Sequence, residues 1–338
     1  VKRLAGWLRR SWDGQTGPLG RMIIGLTLPA EMLYRGAVFL RNRGHDLGFL
    51  PESEGDIPVI SVGNIAVAGT GKTPVSSWLL GRLTSMGHSP ALVTRGYGSD
   101  EIFLYEAWNP GVPVVVHESK LEGVARAARE GATVAVLDDG FQHRALKRDV
   151  DIVLLAAEHG LDGPALPRGR FREAASALAR ADAIVVTRKV ATQDEACALG
   201  RLAMAWAPNA VWGQIHLKED VWTELVGEPR VDAPAGDLLA VAGIAEPDAF
   251  HEMVRSRASG VVECMAFPDH HPFSDKDVRR IVERAGGRPV VTTEKDAVKL
   301  RTYSQEMPRT YVLRLRVAWD FGQDAVMELI RRALDKNR

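Results

Sequence analysis

Cysteine is nearly missing from this chain. Only Cys197 and Cys264 occur in 338 residues, far apart, and neither has a partner at C-x-x-C spacing. That excludes a disulfide framework and a cysteine-based zinc site, and it fits a reducing compartment. An excess of one charge is missing too. The 43 Lys and Arg balance 43 Asp and Glu, so net charge gives no case for nucleic acid and none is expected as a partner. There is no internal repeat and no low-complexity tract. A long clean apolar run is also lacking: the best candidate, "RMIIGLTLPAEMLYRGAVFLRNRG", is broken by Pro29, Glu31 and Arg35. It falls short of the roughly 18 to 20 apolar residues that a spanning helix needs. No small-residue cleavage site follows a short apolar core, so a secretory leader is not expected.

What is present begins with a local asymmetry. The first 48 residues carry eight Lys or Arg against three Asp or Glu. Within them Met32, Leu33, Tyr34, Val38, Phe39 and Leu40 form an amphipathic helix rimmed by Arg21, Arg35, Arg41 and Arg43, with Trp7 and Trp12 upstream. Such a helix either lies in a membrane interface or packs on the protein's own body.

From Ile57 the texture becomes β-branched runs alternating with helical patterns. "PVISVG" (58–63), "ALVT" (91–94), "VPVVV" (112–116), "ATVAVLDDG" (132–140), "VDIVLLA" (150–156) and "ADAIVVT" (181–187) read as buried strands. Strands alternating with helices predict right-handed crossovers and a mostly parallel sheet covered on both faces. The site belongs at the carboxyl ends of those strands. A second, smaller strand and helix alternation starts near Leu238. The expected organisation is an N-terminal basic segment over 1–52, a core over 53–210, a two-stranded linker of 211–220 and 310–320, a second α/β domain over 221–309, and a C-terminal helix over 321–338.

Four motifs carry chemistry. "AVAGTGKT" (66–73) follows a strand and opens a helix, but Ala66 holds the place of the first glycine in G-x-x-x-x-G-K-[ST]. Gly69, Thr70 and Gly71 let the backbone approach phosphate, Lys72 reaches the β- and γ-phosphates, and Thr73 offers its hydroxyl to Mg²⁺. "VAVLDDG" ends an apolar strand in Asp138 and Asp139, one suited to a metal and one to proton transfer or orientation, although a turn also favours aspartate. "PDHHPF" (268–273) sets histidines beside a carboxylate, a combination suited to acid–base work or to an ordinary loop. "LPRGRFRE" (166–173) places Arg168, Arg170 and Arg172 within five residues, suited to phosphate or to a solvated face.

Together and in this order, "SVGNIAVAGTGKTP", "TRGYG", "LDDGFQH", "LPRGRFRE", "AGIAEPDAF", "FPDHHPF" and "TEKDAVK" resemble the tetraacyldisaccharide 4'-kinase family, over nearly the whole chain. The resemblance implies a P-loop NTPase-like α/β fold with a second domain, and ATP bound between the two. It also implies Mg²⁺, and phosphorylation of the 4'-hydroxyl of a lipid-linked disaccharide 1-phosphate at the cytoplasmic face of an inner membrane, reached through the N-terminal segment. A monomer is expected. By motif it implies Asp100 as general base and Glu101 as a metal-side carboxylate, in "SDE", with Asp138 and Thr73 also on the metal and Asp139 beside them. His270 pairs with Asp100 across the domain cleft, raising its proton affinity or orienting it. Arg172 and Glu173 lie near the nucleotide. The family also lacks the first glycine, which accounts for Ala66. Three further departures are Ala68 and Ser99, at usual glycine positions, and a shortened stretch ahead of Asp100. The rival readings are a nucleotide switch and a membrane-bound nucleotide sensor. A GTPase is disfavoured because "TEKD" fails N/T-K-x-D spacing.

Overall fold

The structure, a computed structural model, describes residue 8, residues 11–12, 16–67, 69–96, 99–227 and 231–336. Trp7, Ala68, Tyr97 and Gly98 of the motifs above lie outside the described residues, as do the side chains of Arg21 and Ser99. The chain divides into two compact units: Val1–Arg95 with Gly111–His216 and Trp319–Arg338, and Gly96–Pro110 with Leu217–Ala318.

The strands of the first unit are β1 (Val59–Asn64), β2 (Pro90–Thr94), β3 (Val114–Val116), β4 (Val134–Asp138), β5 (Val150–Ala156), β6 (Ala183–Arg188) and the start of β7 (Val211–Glu224). They lie in the order β3-β2-β4-β1-β5-β6-β7, and every pairing among them is parallel. β1, β2, β4 and β5 are buried at every position. Near-continuous apolar runs are what a parallel sheet requires when helices cover both faces. Val93, Ala135 and Leu137 pack with Val124 and Ala127 of the helix Lys120–Arg129. Val153, Leu155, Ile184 and Val186 pack with Ala196, Leu199 and Ala203 of the helix Gln193–Met204. That helix starts on a capping box in which Thr192 and Glu195 bond each other's backbone N–H, as a Thr-x-x-Glu sequence dictates.

The second unit repeats the logic on a smaller scale. β8 (Leu238–Ala242), β9 (Val262–Ala266), β10 (Val290–Thr293) and β11 (Thr310–Phe321) run in the order β11-β10-β8-β9, all parallel. Alternate residues of β8 enter different cores: Leu239 and Val241 join Val278, Ile281 and Ala285, whereas Leu238, Ala240 and Ala242 join Phe250 and Val254. A period of two facing two helices makes a three-layer sandwich. β7 and β11, read from sequence as a linker, are neighbouring strands, and each passes from one unit into the other.

Two expectations are corrected here. The helix Ser99–Trp108, assigned to the 53–210 core, groups with the second unit. Its partners explain why: Asp100 pairs with His270 and Lys299, Glu101 with Lys295, and the Trp108 indole donates to Glu294. The N-terminal amphipathic stretch is two helices, Gly17–Gly25 and Leu28–Asp46, because Pro29 lacks an N–H and can stand only in the first turn of a new helix. No described helix is long and apolar enough to cross a membrane.

Candidate active site

The first unit supplies a phosphate cradle at the carboxyl ends of β1 and β4. β1 ends at Asn64 and the helix Lys72–Ser85 begins eight residues on, capped by Gly71. Gly69 and Gly71 adopt φ of 72° and 75°, the left-handed region where only glycine is unstrained. Ala66 does not share that conformation. It forms a β-bridge with Phe171, flanked by Val67 N–H donating to the Arg170 carbonyl at 2.8 Å and Arg172 N–H donating to the Ile65 carbonyl at 2.8 Å. Its methyl packs in the core with Phe171. A glycine at this position would serve no conformational purpose.

The loop's carbonyls face the protein. Lys189 Nζ donates to Gly69 O at 2.7 Å, Thr187 Oγ1 to Thr70 O at 3.2 Å, and Asn64 Nδ2 to the buried Thr70 hydroxyl at 2.6 Å. With carbonyls held this way, successive N–H groups and the positive end of the following helix are turned to an anion. Thr73 is the second residue of that helix.

Opposite stand the two aspartates. Asp138 closes β4 and is buried; its carbonyl accepts from Lys120 Nζ. Asp139 takes a φ of 55°, unusual for a side chain larger than glycine. Its carboxylate accepts from Arg172 Nη1 at 2.7 Å and lies 3.5 Å from Lys72 Nζ. Burial pushes the Asp139 carboxyl up, but the charges of Lys72 and Arg172 outweigh it and bring its pKa to about 2. Burial likewise drives the Lys120 ammonium down to about 8, against the pull of Asp138 and Asp139. His143 falls to about 4 through burial and the repulsion of Lys120, Arg95 and Arg148.

Glu173 is held by neighbours of the first unit. Its carboxylate is 1% exposed and accepts from Arg180 at 3.0 Å and from Asn42 at 2.7 Å. It therefore braces the segment that presents Arg172. A carboxylate left free beside a triphosphate would repel it.

The second unit builds a different cluster at the carboxyl ends of β8 and β10. Gly243, just after β8, donates its N–H to Asp296 at 2.7 Å and accepts from His270 N–H at 3.1 Å. That holds the "PDHH" turn in place, with His270 at a φ of 56°. His270 Nδ1 lies 3.0 and 3.1 Å from the two oxygens of Asp100, which is 4% exposed in the first turn of its helix. Lys295 Nζ sits 3.1 Å from His270 Nε2. An ammonium can only donate, so Nε2 accepts and Nδ1 carries the proton given to Asp100. Lys299 Nζ is 3.3 Å from Asp100, and Lys295 Nζ is 3.2 Å from Glu101. The second histidine goes elsewhere: His271 faces Asp277 at 3.0 Å. Among the described residues no three His, Cys, Asp or Glu side chains gather as a metal site.

Two expectations about Asp100 change with this geometry. His270 meets it within one unit, not across a cleft, because the helix carrying Asp100 belongs to the second unit. Nor does His270 raise its proton affinity. Burial pushes the Asp100 carboxyl up, but the His270 hydrogen bond and the charges of Lys295 and Lys299 prevail and hold it well below the usual carboxylate range. What remains is orientation. The shortened stretch ahead of Asp100 does not prevent it from reaching the histidine.

Several contributors escape a reading of the sequence. Lys120, at the start of the helix Lys120–Arg129, and Lys189, just after β6, reach the cradle from far along the chain, while Asn64 and Gln142 lie beside the motifs without a signal of their own; Gln142 Oε1 accepts from Arg172 at 3.2 Å. Lys295 and Lys299 had a signal, since in "TEKDAVK" they are four apart and so share a helix face.

A family model described as tetraacyldisaccharide-1-P 4'-kinase matches residues 24–335. A tetraacyldisaccharide 4'-kinase of Anaeromyxobacter sp. (strain Fw109-5) is 34% identical over 96% of this chain and 95% of its own length. One from Chlorobium luteolum is 36% identical over 81% and 86%. Among solved structures, LpxK from Aquifex aeolicus in complex with ATP superposes with a TM-score of 0.72 at 26% identity, covering 92% of this chain and 99% of that one.

Proposed function

Since the chain belongs to the tetraacyldisaccharide-1-P 4'-kinase family, we infer that it transfers the γ-phosphoryl group of ATP to the 4'-hydroxyl of a tetraacyldisaccharide 1-phosphate. The observation that carries this over a nucleotide switch is Asp100, a buried carboxylate held by His270. A switch or sensor has no use for an oriented proton acceptor; an alcohol kinase does.

The roles divide between the two clusters. Gly69 to Thr73 cradle the phosphates with their N–H groups, while Lys72 and Arg172 neutralise charge on the transferring group, exchanging part of their hold on Asp139 for it. The 4'-oxygen attacks the γ-phosphorus, the bond to the β-phosphate oxygen breaks, and ADP departs with that electron pair. Asp100 accepts the hydroxyl proton. Because its affinity for a proton is low, it takes up that proton late, as the oxygen loses electron density; a loose transition state demands no more.

Mg²⁺ fits the donors present: the Thr73 hydroxyl and the Asp138 carboxylate are hard oxygen ligands of the kind that hold a nucleotide-bound magnesium, which keeps waters and phosphate oxygens as its other ligands. Bound there, the ion withdraws charge from the phosphate oxygens. Glu101, paired with Lys295, is the weaker candidate for the metal.

The acceptor is acylated, and the helix Leu28–Asp46 suits its surroundings. Met32, Leu33, Phe39 and Leu40 are 64 to 76% exposed, whereas Glu31 on the same helix is buried. A helix with apolar side chains outward and its carboxylate inward is built to meet a lipid interface, here the cytoplasmic face of an inner membrane. Incubating the protein with ATP, Mg²⁺ and the disaccharide 1-phosphate tests the reaction, a 1,4'-bisphosphate being expected. ATP turnover that leaves the disaccharide unmodified would discard it. Sedimentation with anionic phospholipid vesicles tests the surface: protein left in the supernatant removes the membrane reading.

A further inference from the structure

The N-terminal helix is joined to the phosphate loop by a chain of polar contacts that lies within the first unit. Glu31, 3% exposed, accepts from Ala165 N–H at 2.8 Å, Arg35 Nε at 2.9 Å and Arg168 Nη1 at 3.0 Å. Arg35 Nη2 also donates to the Gly163 carbonyl at 3.2 Å, and the Trp12 indole donates to Pro167 O at 3.1 Å. One end of segment 163–173 is thereby pinned to the helix. Its other end is pinned by Asn42 Nδ2 donating to Glu173 at 2.7 Å.

Between the pins, the same segment supplies the Phe171 bridge to Ala66, the two backbone bonds to Ile65 and Val67, and the Arg172 side chain on Asp139. It thus forms the outer wall of the phosphate loop. A buried carboxylate is an expensive way to dock a helix, because its desolvation offsets most of what its partners return, and an apolar residue of like volume holds as well or better. What the carboxylate gives and a leucine cannot is a fixed register between helix and segment.

We propose that Glu31 and Asn42 are positioning residues for the nucleotide: acting through segment 163–173, they set the phosphate loop and Arg172 in register with the N-terminal helix. The proposal rests on the reading of residues 66–73 as the ATP loop. It makes nucleotide affinity a property of how the lipid-facing helix is seated, although neither residue belongs to the phosphate loop.

The experiment is calorimetric titration of the full chain with ATP and Mg²⁺, for wild type, Glu31→Gln, Asn42→Ala and the double variant, alongside thermal unfolding and the KM for the disaccharide. Each single variant should weaken ATP binding by roughly three- to thirtyfold. The double variant should fall short of the product of the two, since both act on one segment. The KM for the disaccharide should stay put in Asn42→Ala. Folded variants that bind ATP like wild type overturn the proposal, and a lowered unfolding temperature with unchanged affinity does the same, because that is all a structural brace would do. Should Glu31→Gln fail to fold, Asn42→Ala, at a partly exposed position, decides alone. The titration needs no acceptor. A wild type that binds ATP but leaves the disaccharide unmodified sinks the functional reading only, and one that binds no ATP sinks both.

Discussion

Asp139 and Asp100 are held in the same way and serve different ends. Each is a carboxylate kept ionised by neighbouring cations against the cost of desolvation, Asp100 buried and Asp139 partly exposed. The partners of Asp139 are Lys72 and Arg172, groups that a triphosphate also attracts. Those of Asp100 are an oriented imidazole and two lysines on one short helix. In the proposed reaction the first carboxylate keeps cations in place until a phosphate arrives, and the second keeps itself in place until a proton arrives. A depressed pKa alone does not separate the two roles, and the identity of the partner does.

The sharpest way to break that contrast is to delete Asp100. Asp100→Ala should lower kcat by roughly 10²- to 10⁴-fold, the usual worth of a general base, with ATP affinity retained. Near-normal turnover in a folded variant moves the proton-accepting role to Asp139. Removing Lys72 attacks the other side. Lys72→Ala should cost on the order of 10²- to 10³-fold in kcat, the scale of one lost electrostatic donor, and weaken ATP binding as well. If ATP affinity were untouched, the lysine would be holding Asp139 and nothing else.

His270 tests orientation against basicity. Because Asp100's folded pKa is depressed, its ionised form is populated throughout the neutral range, and its stabilising contribution is lost only as pH falls through that low value. The wild-type kcat should therefore show no acid limb from Asp100 at pH 5 and above. His270→Gln removes the leading cause of the depression, so an acid limb should move upward, with kcat down roughly tenfold to a hundredfold at neutral pH, the worth of a hydrogen bond to a charged group. A pH profile identical to wild type would mean that the lysines alone set the carboxylate, and the histidine's role would have to be sought elsewhere.

The two clusters also differ in how far the sequence revealed them. The phosphate cradle is legible because its key residues are contiguous: a strand, two glycines with positive φ, a lysine and a hydroxyl within "NIAVAGTGKT". The Asp100 cluster joins residues 170 positions apart, and only the family resemblance linked them. Chain order even misplaced the helix Ser99–Trp108, which follows a strand of the first unit but makes its ion pairs in the second. Local pattern cannot see that choice, since it is decided by partners far along the chain. Lys120 was invisible for a similar reason. In sequence it is a lysine opening a helix on the Ser119 cap, and only the position of β4 turns it into a buried cation on Asp138.

Ala66 yields the smallest expected effect and the finest discrimination. If the missing glycine were a defect in the phosphate loop, Ala66→Gly would restore affinity. The residue instead sits in a β-bridge with Phe171, its methyl buried, three residues before Gly69, the first of the loop's two left-handed glycines. Glycine there gains no conformation it needs, loses a packed methyl, and adds backbone freedom to the unfolded chain, a cost of about 1 kcal/mol in stability. ATP affinity measured by titration should be unchanged within twofold, roughly 0.4 kcal/mol. A clear tightening would show that the bridge strains the loop. An unchanged affinity with reduced stability would locate the contribution of Ala66 in the wall that segment 163–173 builds against it, the same wall that ties the N-terminal helix to the phosphate loop.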